Sequence, residues 1–574
     1  MRTLYIVLSL LLANQLYAQA PALVWASSFS SGGVDEGRSV AVDADGYVYT
    51  VGNFNDTADF DPGTGTFDMS STDLSDIYIV KLSPSGDLVW AKSIGGTGSD
   101  IPSNVILDGT GQLYITGQFA YRVDFDPGPD STFLTANANA DVFVLKMDTV
   151  GNFLWANGFG GDFVDNGLAL AVDDAGNVYN VGQYTNNCDF DPDTSSAFVL
   201  TAQGSSPNAY IVKFDASGNF IWARGWGGTS SDAARDMEID EAGDLYIVGS
   251  FTGLVDFDLG LPIYYFNAGS SGTNGYLLKL NSAGDYIWAK DLTASSAGSS
   301  ENCVSIRLDP SGNLYLCGSF SGTADFDPGS GNYYVSALDD NLSDIFVEKL
   351  DANADFLWAI SMGGRRADRP LSMAVNQNGS VYLTGSFTDT ADFDPGPGTL
   401  NLMSEGSNDA FICRLEPDGH IVWAAAFNGP EMQNGNSIAL DTNANIYLTG
   451  NFRGACDFDP NATSYVLNPQ GSVYDAFVLK LNEPANLDIE QPANNTKLSL
   501  YPNPASSETT LVSIDGFANS TISLFQMNGQ LLQEWTGTKQ DKLSISLAGY
   551  APGIYMLEVR KSNSARQYIK LVKE

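Results

Sequence analysis

"SVAVDADGYVYTVGNF" at Ser39–Phe54 and "DIYIVKLSPSGDLVWAKSIGG" at Asp76–Gly96 decide the fold. Each holds two short runs of alternating large apolar and smaller residues, joined by a turn. The turns "DADGY" and "SPSGD" put Gly where a tight hairpin needs positive φ. The two stretches together supply four strands. Tryptophan marks their recurrence, at Trp25, Trp90, Trp155, Trp222, Trp288, Trp358 and Trp423, in steps of 65 to 70 residues. A period above about 50 residues with four strands per unit predicts propeller blades. The ends of the repeat predict closure. A lone fourth strand, "LVWASSF", comes first, and the seventh repeat stops after its third strand, "DAFVLKL". The N-terminal strand is expected to complete the last blade and leave no open edge.

The chain has 574 residues, 17% charged and 11% aromatic, with 59 glycines. That is a turn-rich all-β composition, too long for one ordinary domain. Its net charge is −41. Residues 1–496 hold 19 basic and 62 acidic side chains, whereas residues 497–574 hold 8 and 6. Such a field repels nucleic acid and anionic membrane and attracts cations. The start, "MRTLYIVLSLLLANQLYAQA", reads as a secretory signal peptide over residues 1–18, cut after Ala18. No later segment is long and apolar enough to span a bilayer as a helix. Five cysteines without a C-x-x-C pattern argue against a zinc site or a disulfide framework. Cys303 and Cys317 flank the turn "DPSGN"; they are either a cross-hairpin disulfide or two small buried hydrophobes.

The unit "SVAVDADGYVYTVGNF…DIYIVKLSPSGDLVWAKSIGG" resembles the bacterial SBBP-type β-propeller repeat, related in outline to NHL propellers. This resemblance implies a seven-bladed propeller over residues 19–482. Residues 483–496 read as a linker. From 497 to 574, alternating apolar residues and turn signals predict a small β-sandwich of about seven strands. "YPNP" at Tyr501–Pro504, "GIYMLEV" at Gly553–Val559 and the "IKLVK" ending make it resemble the type A C-terminal sorting domain of type IX secretion substrates. The resemblance implies a secreted or surface-displayed protein of a Gram-negative bacterium. Residues 497–574 would then meet the secretion machinery and be cut off afterwards, with anchoring or release.

One short motif recurs seven times: "DFD", usually followed by Pro-Gly, at Asp59 and Asp61, Asp124 and Asp126, Asp189 and Asp191, Asp256 and Asp258, Asp325 and Asp327, Asp392 and Asp394, and Asp457 and Asp459. In an extended segment the two carboxylates share one side and the Phe points to the other. The motif is expected in a hairpin arm between strands two and three. The connection from strand four to the next strand one adds Asp35, Asp100, Asp165, Asp232 and Asp368, so one face is expected to collect many carboxylates. Either the aspartates cap turns, or paired carboxylates bind Ca²⁺.

No Ser-His-Asp set, P-loop or dinucleotide fingerprint is visible. The lone histidine, His420, falls in a turn. The carboxylate pair recurs seven times, whereas an active site breaks repeat symmetry, so no enzyme is expected. Two places do break symmetry. The fourth repeat has Leu259 in the Pro position, followed by Tyr264, Tyr265 and Phe266; exposed rings there can stack on sugars or peptides. "GGRRADRP" carries Arg365, Arg366 and Arg369, a candidate site for an anionic ligand. The reading is a binding or adhesion module for an unidentified extracellular glycan or protein. The alternatives are an extracellular carbohydrate-active enzyme and a structural envelope component.

Overall fold

The computed structural model describes residues 17–573 apart from 138, 259–263, 270–271, 293–299, 340, 462, 471–472, 484–497, 502–507, 514–516, 518–519, 527–530, 537–539, 541, 552 and 562–566. The signal-peptide reading, most of the linker and Leu259 lie outside the described residues. The chain divides into two compact units, 1–483 and 484–574. The described residues form strands and turns without an α-helix.

Seven antiparallel sheets with four main strands each build the first unit among the described residues, and an arm hairpin extends two of them to six strands. Sheet one runs Glu36–Val42, Val48–Phe54, Asp76–Leu82 and Leu88–Ile94, each strand paired with the next. Sheets two to six repeat this order over 101–161, 166–226, 233–291, 301–364 and 369–427. Sheet seven takes three strands from 433–482 and its fourth from Ala22–Phe29, which pairs antiparallel with Asp475–Asn482. Each hydrophobic core lies between two sheets. Tyr49, Val51 and Ile79 of sheet one pack with Val105, Leu113 and Ile115 of sheet two. The series continues around to Val478 of sheet seven, which packs with Val40, Val48 and Val80 of sheet one. The first strands likewise pack each on the next, and the seventh on the first.

Two periodic features explain this packing. Every first strand carries a β-bulge at the same place, between Gly37 and Ser39 in sheet one and between Gly435 and Ser437 in sheet seven. Except in sheet three, where it is Ala169, the residue after the bulge is polar, and in five sheets it accepts a backbone N–H of the neighbouring sheet. Val105 N–H donates to Ser39 Oγ (3.1 Å), Leu170 N–H to Asn104 Oδ1 (3.2 Å) and Val40 N–H to Ser437 Oγ (3.2 Å). The periodic Trp serves the outer rim. Trp25 Nε1–H of sheet seven donates to Pro84 O in the last turn of sheet one (3.2 Å). Its ring lies over Gly86, where φ is 89° and a Cβ would sit 2.8 Å from the indole. Gly is therefore required there both by backbone conformation and by space. Trp90 on Gly151 and Trp155 on Gly218 repeat the contact.

All five cysteines are free and buried. The expected alternative of a Cys303–Cys317 disulfide is not realised. The bulge between Cys303 and Ser305 shifts the register so that Cys303 faces Gly318, and its thiol lies 3.6 Å from Cys317 O. Both behave as small core residues.

In the second unit, Leu498–Tyr501, Glu508–Ser513 and Lys542–Ser546 form one sheet. Leu531–Thr536, Ser520–Gln526, Gly553–Lys561 and Gln567–Lys573 form another, in that order. Leu511, Phe517, Ile522, Leu524, Ile545, Leu557 and Leu571 form its core.

Deleting Ala22–Phe29 removes the fourth strand of sheet seven, with buried Ala26 and Phe29. The expected result is a loss on the order of 3–5 kcal/mol, with self-association through the bared edge of Asp475–Asn482. Calorimetry and light scattering on the deletion variant check this. An unchanged melting curve with a monomeric product contradicts it.

Candidate functional site

The DFD motif is a staple. It opens a hairpin arm, Thr57–Asp59 paired with Asp68–Ser70 in the first repeat. Asp59 Oδ1 accepts N–H from Asp61 (2.9 Å) and from Phe67 across the arm (2.8 Å). Asp124, Asp189, Asp256, Asp325, Asp392 and Asp457 repeat both bonds, reaching Thr132, Phe198, Tyr264, Tyr333, Leu400 and Tyr465. The second Asp bends the tip. Asp61 Oδ1 accepts Gly63 N–H, and Asp126, Asp191, Asp327, Asp394 and Asp459 each accept the N–H two residues on. Phe60 is fully buried between Phe29, Phe54 and Tyr78, and the other six motif phenylalanines are equally buried. The arm also bridges to the preceding sheet, as in Ser30 with Asp59, Gly160 with Asp189 and Gly363 with Asp392.

The connection aspartates do not form an acidic face. Asp35, Asp100, Asp165, Asp232 and Asp368 are buried. Each ties two segments together: Asp100 Oδ2 accepts Gly96 N–H (2.9 Å) and Asp100 Oδ1 accepts Ala120 N–H (2.9 Å). The same two bonds hold Asp165 and Asp368. A second buried acid opens strand three of the preceding sheet: Asp76, Asp141, Asp344, Asp409 or Asp475. The "GG" pair makes room. A Cβ on Gly363 would lie 2.6 Å from Asp344 Oδ1 and 3.0 Å from Asp368 Oδ2. One on Gly96 would lie 2.6 Å from Arg122 O of the next arm. Burial pushes Asp344 up to about 6 and Asp368 up to about 7, with Asp344 itself adding to the rise at Asp368. Asp76 and Asp100 repeat this at about 6 and about 7.

Sheet three shows how such a pair is satisfied. Asn208 stands where five of the other sheets carry Asp and sheet four carries Asn274; with its amide turned to suit its neighbours, it donates to Gly228 O (3.1 Å) while its oxygen accepts Gln203 N–H (3.1 Å). Asp344 Oδ2 accepts Leu338 N–H in the same way (2.8 Å), but its buried Oδ1 has no hydrogen-bond partner. A proton on that oxygen does what the Asn amide does.

Departures from the repeat gather at sheets four and five. In the central cavity, Glu238 and Arg307 stand where the other sheets have Ala or Ile. Arg307 Nη1 lies 2.7 Å from Asp236 Oδ2 and 3.5 Å from Glu238 Oε1. Burial raises Glu238 to about 7 against the pull of Arg307. A cavity of about 610 Å³ opens beside them, lined by Glu238, Asp240, Glu241 and Asp309. Glu348, at a position that is Val, Leu or Cys in the other sheets, is fully buried, and neither carboxyl oxygen has a hydrogen-bond partner. Outside, Tyr264, Phe266, Tyr286 and Trp288 wall a cleft of about 480 Å³, completed by Lys290, Asp291 and the next arm's Asp327–Gly329. Spacing within the repeat singled out Tyr264. It missed Asp236, Glu238, Arg307 and Glu348, although aligning the seven repeats exposes each as a charge at an apolar or small position.

The other expected residues fall apart. Tyr265 is exposed on the arm but does not line the cleft. Arg365 and Arg366 are exposed on the connection between sheets five and six, Arg369 is exposed at the start of sheet six's first strand, and none of them lines the cleft. His420 is an exposed turn residue beside Asp418. Among the described residues, no group of three or more His, Cys, Asp or Glu is placed to hold a metal ion.

Residues 499–574 match the secretion system C-terminal sorting domain family. The protein is thereby a secreted or cell-surface protein of Bacteroidetes, and its tail is a partner of the type IX secretion machinery. The chain is 23% identical over 534 residues to an uncharacterized WD repeat-containing protein of Acanthamoeba polyphaga mimivirus, covering 80% of this chain and 38% of that protein. It is 22% identical over 438 residues to the regulatory protein FlaEY of Caulobacter vibrioides, covering 72% and 42%. It thus spans about two fifths of the length of these curated relatives. Among solved structures, it is similar to a Dyadobacter fermentans protein of unknown function (14% identity, 67% of this chain and 94% of that one, TM-score 0.34). It is also similar to the extracellular domain of a putative one component system from B. thetaiotaomicron (9%, 97% and 98%, TM-score 0.16). No helix among the described residues is long and apolar enough to cross a membrane.

Two predictions follow the carboxylates. The paired acids have folded-state values raised above the ordinary 3.8, so their stabilisation is complete below about pH 4 and is lost as pH rises through 6 to 7. Asp344→Asn supplies the missing donor permanently. It is expected to raise stability at pH 8 by on the order of 2 kcal/mol and to change little at pH 4.5. Parallel melting-versus-pH curves for the variant and the parent refute the shared proton. For the staple, Asp59→Asn retains the acceptor oxygen and is expected to fall within about 0.5 kcal/mol of the parent, while Asp59→Ala loses about 1–3 kcal/mol. Melting in chelator and in millimolar Ca²⁺ is expected to coincide for the parent; a calcium-dependent rise that Asp59→Asn abolishes assigns the motif a cation instead.

Proposed function

We propose that the first unit is a seven-bladed propeller of the SBBP type, closed by its N-terminal strand and exported to the cell surface as a binding module. The cyclic order of the inter-sheet cores and first strands supports the architecture. The binding role rests on one observation: the departures from the repeat gather at sheets four and five, around a cavity and a cleft. Residues that recur hold the ring together, and residues that do not recur are free to recognise something. The test is a combined glycan and peptide array probed with the purified chain, beside a screen for glycoside hydrolysis. Saturable binding without turnover is expected. Turnover without a stable ligand favours a carbohydrate-active enzyme, and neither result favours a structural envelope component.

A further inference from the structure

The cleft between the arms of sheets four and five differs from that between sheets six and seven, while sheets three and five also set an arm ring on an outer-strand ring, Phe198 on Phe220 and Tyr333 on Phe356. Between sheets six and seven the same place is lined by Leu402, Met403, Ala424–Ala426 and acids or amides, without an aromatic ring. Between sheets four and five, Tyr286 and Trp288 come from the outermost strand and Tyr264 from the arm. Tyr264 is 46% exposed, and its ring lies 6.1 Å from that of Tyr286, tilted by 42°. Two rings that are not coplanar form a bent platform. The arm tip Asp327-Pro328-Gly329, Lys290 and Asp291 complete the lining. The lining thus combines flat apolar faces with both donors and acceptors.

Resting on the binding-module reading, we propose that this cleft is a binding site for a neutral saccharide, whose sugar faces stack on Tyr264, Tyr286 and Trp288 while Asp327 and Lys290 take its hydroxyls. Aromatic walls with a few convergent polar groups, in a volume of some hundreds of Å³, are the usual make-up of a small-ligand site. Sugar rings present C–H groups on their faces and hydroxyls at their edges, so one molecule satisfies both parts of the lining. The net charge of −41 selects against acidic glycans.

The test is affinity electrophoresis of the whole chain in native gels containing laminarin, xyloglucan, galactomannan or soluble starch, with alginate as the acidic control. Retardation is expected in at least one neutral gel and not in alginate. Tyr264→Ala with Trp288→Ala is expected to lower the affinity at least tenfold. Tyr334→Ala, which removes a comparably exposed ring from the neighbouring arm, is expected to leave it unchanged. Near-parental melting of each variant shows that the fold is intact; should the double variant unfold, Tyr264→Ala alone, at a ring 46% exposed, replaces it, and a smaller loss of retardation in the same direction is expected. Retardation that survives these changes overturns the cleft and leaves the binding module standing at another site. Migration unaffected by every neutral polysaccharide overturns the saccharide, and the peptide array then decides whether the binding reading falls with it.

Discussion

Every sheet in the first unit begins with a strand that has a paired neighbour on one side only. Such an edge leaves peptide groups without partners, and seven sheets whose first strands pack on one another bring seven edges together. The bulge in each first strand resolves this at five of the seven junctions. It turns Ser39, Asn104, Asp236, Ser372 or Ser437 toward the adjacent sheet, where each accepts a backbone N–H. Once the inner strands are tied this way, the apolar faces of neighbouring sheets meet at a fixed spacing. The outer devices follow from that spacing: Trp over a turn glycine, Phe of the arm in the inter-sheet core, and the arm bridged to the sheet before it.

The strands and their pairing were legible because alternation and turn glycines act locally. Trp25 at the start and "DAFVLKL" at the end even revealed which strand closes the last sheet. The partners across sheets were not legible. Asp100 looks like a loop carboxylate, because nothing near it in sequence announces the Ala120 N–H that buries it. The "GG" pair reads as a flexible turn, yet each glycine is there for space: one beside a buried acid, one beside the next arm's carbonyl. Leu259 was visible as a break in the motif. Glu348 and Arg307 sit inside ordinary-looking strands and emerge only when the seven repeats are aligned strand by strand.

The seven junctions solve one electrostatic problem in different ways. Two acids together need a proton, Asn208 and Asn274 replace the first acid, and Gln433 replaces the second. Each device removes one of two negative charges, which low-dielectric burial favours. Glu348 is the exception, an acid in the core without a compensating amide. It belongs to sheet five, whose arm tip also lines the aromatic cleft, and the charge of Asp327 in that tip acts on it. Departures that each weaken packing are tolerated together in one sector of the ring, while the remaining sectors hold the repeat.

The strand Ala22–Phe29 pairs with residues 475–482, so its partner is made about 450 residues later. At a ribosomal pace of about 5–20 residues per second, that delay is roughly 20 to 90 seconds. Throughout it the earliest strand of the ring is a sticky, solitary ribbon, and each new sheet displays a raw flank to whatever is nearby. A nascent chain of this kind is safest kept extended by a chaperone until its last sheet arrives. The sorting domain follows directly after that sheet, so a chain that carries the address for export is also one that holds every strand needed to close.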